Sequence, residues 1–279
     1  MPTAGVSAGL LSALSFGAGD FAGASAARRA GALAAVAGAQ AIGLVALIIA
    51  VLVARPALPD PAPIAIGLVA GVAGAVGLAA LYRGMTLGSM GLITALSGAG
   101  SLAVPLVAGA VLGAVVTPLQ LIGVGCVAAA AAAASGASRT EMGRRALGLA
   151  AVAAVAFGSW YVLIDLAAHG GDPLWALVLS RTASAGVALG AAAWSGRLRR
   201  ERFPTRTIIA AGLFDVGGNA LYVIARELLP VSLAAALTGL YPVVTMVLAR
   251  ILIGEHLPRL GQLGVALALL GVVLISAGG

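Results

Sequence analysis

The chain has 279 residues, of which 61% are hydrophobic and 9% charged, whereas roughly 25% of a soluble domain is charged. Such a chain cannot cover its surface for water, so it reads as a polytopic membrane protein. Its net charge of +7 is carried by arginines at the ends of apolar runs, which excludes nucleic acid as a partner.

At about 26–28 residues per helix and loop, the length allows roughly ten spans. Span 1 is predicted over residues 5–24; it is long and lacks a basic leader, so it reads as a retained span, not a cleaved signal. Span 2 follows over 32–53. The loop RPALPDPAP holds four prolines and is predicted to be non-helical. Spans 3, 4 and 5 cover 64–82, 92–112 and 118–135. The polar stretch SRTEMGRR marks a boundary near 137–146, which divides the chain into two halves, 1–137 and 146–279. Spans 6 to 10 cover 147–167, 173–194, 207–225, 232–253 and 260–277. Pro105 and Pro242 interrupt spans 4 and 9, where each frees a carbonyl one turn earlier.

The arginines set an orientation. Loops after odd-numbered spans carry Arg28, Arg29, Arg83, Arg139, Arg144, Arg145, Arg197, Arg199, Arg200, Arg202, Arg206 and Arg259, and loops after even-numbered spans carry Arg55 and Arg226. The positive-inside rule places the first group in the cytoplasm and both termini outside.

The two halves repeat. Phe16-Gly17 recurs as Phe157-Gly158, Gly123 as Gly264, and Leu96, Gly98, Ala108 and Gly113 as Leu237, Gly239, Ala249 and Gly254, each 141 residues on. Five spans per half is an odd number, so the halves enter the membrane from opposite faces. The expected fold is all-α integral membrane: ten transmembrane helices as two inverted five-helix repeats. Transporters of that architecture bind substrate near the midplane between repeats.

A charge inside a span costs a few kcal/mol and tends to face a cavity or a partner. Arg181 is such a charge, and its repeat mate is Gln40. The guanidinium either clamps a substrate carboxylate or phosphate or pairs with Asp215 or Asp20. A buried carboxylate can take up and release a proton, which makes Asp20 and Asp215 the candidate proton-coupling sites. Asn219 shares a helix face with Asp215, and Tyr222 lies close to it. Trp160, Tyr161, Tyr222 and Tyr241 are candidates either to line a substrate cavity or to fill core, and Trp175 and Trp194 are expected at membrane interfaces. Polar chemistry is expected mainly in the second half, with the first as its apolar counterpart. The spacings Gly67/Gly71, Gly109/Gly113 and Gly186/Gly190 permit close helix packing. No P-loop, HExxH or nucleophile elbow occurs, so neither ATP-driven transport nor catalysis is expected, and no cofactor or metal.

Phe16-Gly17, Phe157-Gly158, the run LTGLYPVVTMVLARILIGEHL and the closing GQLGVALALLGVVLI together resemble the EamA family of the drug/metabolite transporter superfamily, with weaker copies in the first half. The resemblance implies a central cavity, alternating access, and transport of amino acids, related metabolites or amphipathic drugs, often outward, across the plasma membrane of a bacterium. The partners expected are a small-molecule substrate, membrane lipids and protons; the sequence carries no signal of oligomeric state. Members of this family place both termini in the cytoplasm, against the arginine count. A passive facilitator, a lipid-linked flippase and a non-transporting membrane subunit that docks a partner through Arg197 to Arg206 remain alternatives.

Overall fold

The computed structural model describes residues 2–113, 115–137, 140–169, 171–195 and 205–278. Ala114, Arg139, Arg197, Arg199, Arg200 and Arg202 lie outside the described residues. Within them every regular element is an α-helix: α1 Pro2–Ala30, α2 Ala32–Ala54, α3 Pro61–Leu87, α4 Met90–Ser101, α5 Ala103–Val111, α6 Pro118–Ala137, α7 Glu141–His169, α8 Pro173–Trp194, α9 Thr205–Leu228, α10 Val231–Thr238, α11 Tyr241–Ile253 and α12 Arg259–Ala277. Nine described segments are long and apolar enough to cross a bilayer, with α4–α5 and most of α10–α11 each forming one. The first helix has the length but is diluted by Asp20, serines and glycines. The protein is a multi-pass membrane protein.

Where elements differ from expectation, proline and helix capping account for it. The predicted loop of four prolines gives two of them to α3: Pro61 and Pro63 sit in its first turn, where a missing N–H costs nothing. The polar stretch after residue 137 is helical from Glu141, whose charge suits a helix N-terminus. Spans 4 and 9 are broken into two helices. Pro242 occupies the first turn of α11 and Pro105 that of α5, so each proline starts a new helix after a break.

The interior is built from small side chains. Most buried apolar residues are alanines, whereas Leu52, Val53, Val111, Leu112 and Ile251 are among the large side chains turned outward. Lipid is as apolar as leucine, so no hydrophobic force drives one helix onto another. Close van der Waals contact between small residues does so instead. Of the three glycine spacings, one makes such a seam: Gly67 and Gly71 of α3 meet α8 at Ala176, Leu179 and Ser180, whereas Gly113, Gly186 and Gly190 have nothing within 4 Å.

Several of these contacts recur at the sequence offset. Gly71 meets the Ser180 carbonyl, and Gly212 meets the Ala39 carbonyl, where a methyl group would come to 2.6 Å. Gly77 packs on the ring of Phe157 and Gly218 on that of Phe16. Gly123 lies against Gly271 and Ile275, and Gly264 against Ala130 and Ala134. Gln40 and Arg181, which are 141 residues apart, touch each other. The helix pairs follow suit: α1 packs on α9 as α3 packs on α7, while α2 pairs with α8 and α6 with α12.

The stop after α11 joins the halves. Gly254 ends α11 at φ 67°, a left-handed turn that glycine adopts without strain. The turn aims Glu255 at the start of α4. Its Oε1 accepts from Ser89 Oγ at 2.6 Å and its Oε2 from the Met90 N–H at 3.1 Å, while Ser89 Oγ accepts from the Leu92 N–H at 3.4 Å. A carboxylate thus answers the exposed donors of a helix N-terminus. Glu255→Ala should lower stability by about 1–2 kcal/mol, with Glu255→Gln losing less. Thermal unfolding of the detergent-solubilised protein measures this, and an unchanged midpoint in Glu255→Ala would remove the cap from the account.

Candidate functional site

Three helices meet at one cation. Arg181 of α8 donates from Nη1 to Gln40 Oε1 on α2 at 2.6 Å, and its Nη2 pairs with Asp215 Oδ2 on α9. The two charged side chains are 13% and 29% exposed, so both ends of the pair lie largely out of water. Gly43, one turn from Gln40, leaves room for the guanidinium: a methyl there would stand 3.4 Å from Nη1. Asn219, one turn beyond Asp215, bonds through Nδ2 to the Asp215 main-chain carbonyl at 2.8 Å.

Beside this knot lie the four tyrosines of the chain. Asp20 on α1 interacts electrostatically with Tyr82, Tyr161 and Tyr241 and with Asp215, and Tyr161 also with Tyr222. Tyr82 is 3% exposed, and its hydroxyl lies over Gly23, on the α1 face that carries Asp20 three residues earlier. Tyr241, the first residue of α11, sets its hydroxyl over Gly98 of α4 and its ring edge-on to Phe16 at 6.3 Å. Tyr161 stands edge-on to Trp160 at 5.3 Å. The Trp160 indole donates to Ser180 Oγ at 2.9 Å and packs beside Gly74. Tyr161 is 44% exposed although it lies among these inward residues, so it faces open space inside the bundle.

The space opens toward one membrane face. α4 packs on α11, and α1 on α3; the matching pairs α5 with α10, and α7 with α9, are not packed in this way. The packed pairs meet near the ends that carry Arg28 and Glu255. There Arg28 Nη2 also donates to the Met85 carbonyl at 3.3 Å.

All nine residues singled out in the sequence fall in this region: Arg181, Gln40, Trp160, Tyr161, Asn219, Tyr222, Tyr241, Asp20 and Asp215. Of the two readings of Arg181, the pair with Asp215 is present. The first half supplies Asp20, Gln40 and Tyr82 to this region. Span 3 is predicted to end at Tyr82. The helix runs on to Leu87, which draws Tyr82 inward. The convergence of the chain's few tyrosines is the signal that identifies it. Trp194 is 96% exposed, and Trp175 donates to the Pro56 carbonyl at 3.3 Å; the two mark the ends of α8.

Removing the guanidinium leaves a partly buried carboxylate without its counter-charge. Arg181→Gln should therefore destabilise the protein by up to about 3–5 kcal/mol, less whatever water recovers at Asp215. Adding Asp215→Asn should restore most of the loss. Thermal unfolding of the single and double variants checks this, and a single variant as stable as wild type would mean that the pair does not hold the bundle.

The solved structures contain this fold. Fifteen chains match; one, titled "Crystal structure of protein", covers 96% of this chain and 95% of its own length, with a TM-score of 0.62 and 17% identity. At that identity the likeness is one of fold. No curated protein matches the sequence. The family model described as the EamA-like transporter family matches residues 144–277, which span α7 to α12 and hold Arg181, Asp215 and three of the four tyrosines. That stretch, just under half of the chain, is thus similar to the EamA-like transporter family of the drug/metabolite transporter superfamily.

Proposed function

We propose that the protein is a secondary transporter that moves a small metabolite or amphipathic compound across the plasma membrane by alternating access, working as an exporter with a proton as coupling ion. The observation that carries this reading is a polar and aromatic site inside an apolar bundle, closed toward one membrane face and not toward the other. Charged side chains at such depth are costly and persist where they serve a pathway.

In this reading α1 is a tenth span, and residues 1–137 and 146–279 are inverted repeats. Reciprocal contacts at one offset support it, such as Gly77 on Phe157 and Gly218 on Phe16. So does the bond between Gln40 and Arg181, because a residue touches its own repeat mate where the two halves cross. The broken helices α4–α5 and α10–α11 bring helix ends inside the membrane, as transport sites of this architecture do. Asp20 and Asp215 are the proton carriers, Tyr161 and Tyr222 line the open side, and Arg181 switches partners as the bundle rocks. The face that carries the arginines is the cytoplasmic one.

Flux into proteoliposomes tests the mechanism. Wild type should show saturable transport driven by an imposed proton gradient. Arg181→Ala and Asp215→Asn should each lower the rate about tenfold or more, which is the loss of one charged hydrogen bond of roughly 1.5–3 kcal/mol. Transport that ignores the proton gradient identifies a facilitator. Full, proton-dependent transport by both variants removes the roles given to Arg181 and Asp215. Orientation has its own test: a reporter that fluoresces only in the cytoplasm, fused after Gly279, should stay dark.

A further inference from the structure

The site holds one carboxyl group, that of Asp20, which no cation among the described residues answers. Arg181 and Asp215 neutralise each other, and Gln40 takes a further guanidinium N–H. Asp20 has neither an ion pair nor a hydrogen bond to another described residue. Its charged neighbour is Asp215, which already has its cation. The Tyr82 hydroxyl likewise bonds to no other described residue, although the side chain is 3% exposed. It stands on the α1 face that carries Asp20. Tyr161 and Tyr241 are also within electrostatic range of that carboxylate.

From the transport reading above and this charge balance, we propose that Asp20, with Tyr82, Tyr161 and Tyr241, forms the substrate's ammonium site, so that the transported compound is an amphipathic organic amine rather than a carboxylate or phosphate. The carboxylate supplies the counter-charge that the protein itself does not. Tyrosine faces attract a cation and tolerate an apolar body, and the Tyr82 hydroxyl can accept from an ammonium N–H. An anionic substrate would meet Asp20 unscreened and would have to displace Asp215 from Arg181. A zwitterion would satisfy Asp20 at one end only.

Three ligands of similar shape and different charge decide the point: 2-phenylethylamine, phenylalanine and 3-phenylpropionate. Binding to the full-length protein in detergent is followed by tryptophan fluorescence, since Trp160 borders Tyr161. Phenylethylamine should bind at least about tenfold more tightly than phenylpropionate, a difference of about 1.4 kcal/mol, with phenylalanine between them. Asp20→Asn should lose that preference, and Asp20→Glu should keep part of it. Tighter binding of phenylpropionate overturns the proposal, and the comparison needs only wild-type protein. Saturable binding of none of the three, or an amine affinity within twofold of wild type in a folded Asp20→Asn, overturns it as well. Flux separates this from the parent reading. An anion that is bound and transported sinks the amine site and leaves a transporter, whereas an amine that is bound but never moved sinks transport and leaves the site.

Discussion

A cation inside a bilayer must be answered by the protein, and here Arg181 is answered from two other helices. Asp215 supplies the counter-charge from α9 and Gln40 an acceptor from α2. None of these groups could stand alone in lipid at modest cost. Together they fix how α2, α8 and α9 meet. The position of Asp215 in turn fixes the face of α9 that bears Asn219 and Tyr222, one and two turns on. The polar site and the packing of the bundle are therefore not separable features: the pair that makes the interior habitable for charge also sets the wall of the cavity.

The remaining contacts depend on small residues. With no hydrophobic force between helices in lipid, close approach has to come from backbones meeting over glycine and alanine. Gly17 lets α1 reach the Tyr241 carbonyl and Gly158 lets α7 reach the Ser101 carbonyl, with methyl groups at those positions falling at 2.6 and 2.5 Å. These are the helix breaks: Pro105 has no N–H for the Ser101 carbonyl, and Tyr241 opens α11. The Phe16-Gly17 and Phe157-Gly158 pairs thus act on the two broken helices: the glycine admits the break, and the phenylalanine packs on a glycine of a third helix.

Much of this was legible in the sequence because its causes are local or periodic. Apolar run lengths place α2, α8 and α12 within a residue or two, and the recurrence of Phe-Gly and Gly marks contacts that the structure makes in reciprocal pairs. Interior charges in apolar runs identify Arg181, Asp20 and Asp215, since few other placements are tolerable. What escaped depends on partners distant in sequence. Glu255 reads as part of a stop signal, but its carboxylate caps α4, 165 residues away. Tyr82 reads only as the last residue of span 3 until Gly23 on another helix gives its hydroxyl a place to lie. A proline shows that a helix is interrupted without saying whether it bends or ends. Here the first turns of α5 and α11 take the prolines, and the helices end.

The two membrane faces differ because corresponding residues differ. Near the arginine-rich face Tyr82 lies on Gly23, and Glu255 bonds to Ser89 and Met90. At the same offset the first pair becomes Val223 and Ile164, and Ser89 becomes Pro230. Isoleucine at 164 denies α9 the close approach that glycine at 23 gives α3, and a proline has no hydroxyl to hold a carboxylate. Among the described residues, the packing that brings α1 to α3 and α4 to α11 is consequently not matched between α7 and α9 or α5 and α10. The two faces thus differ through a few residues at positions 141 apart. Tyr161 on α7 and Tyr222 on α9 nevertheless stand within electrostatic range of each other, and Tyr161 within range of Asp20 on α1.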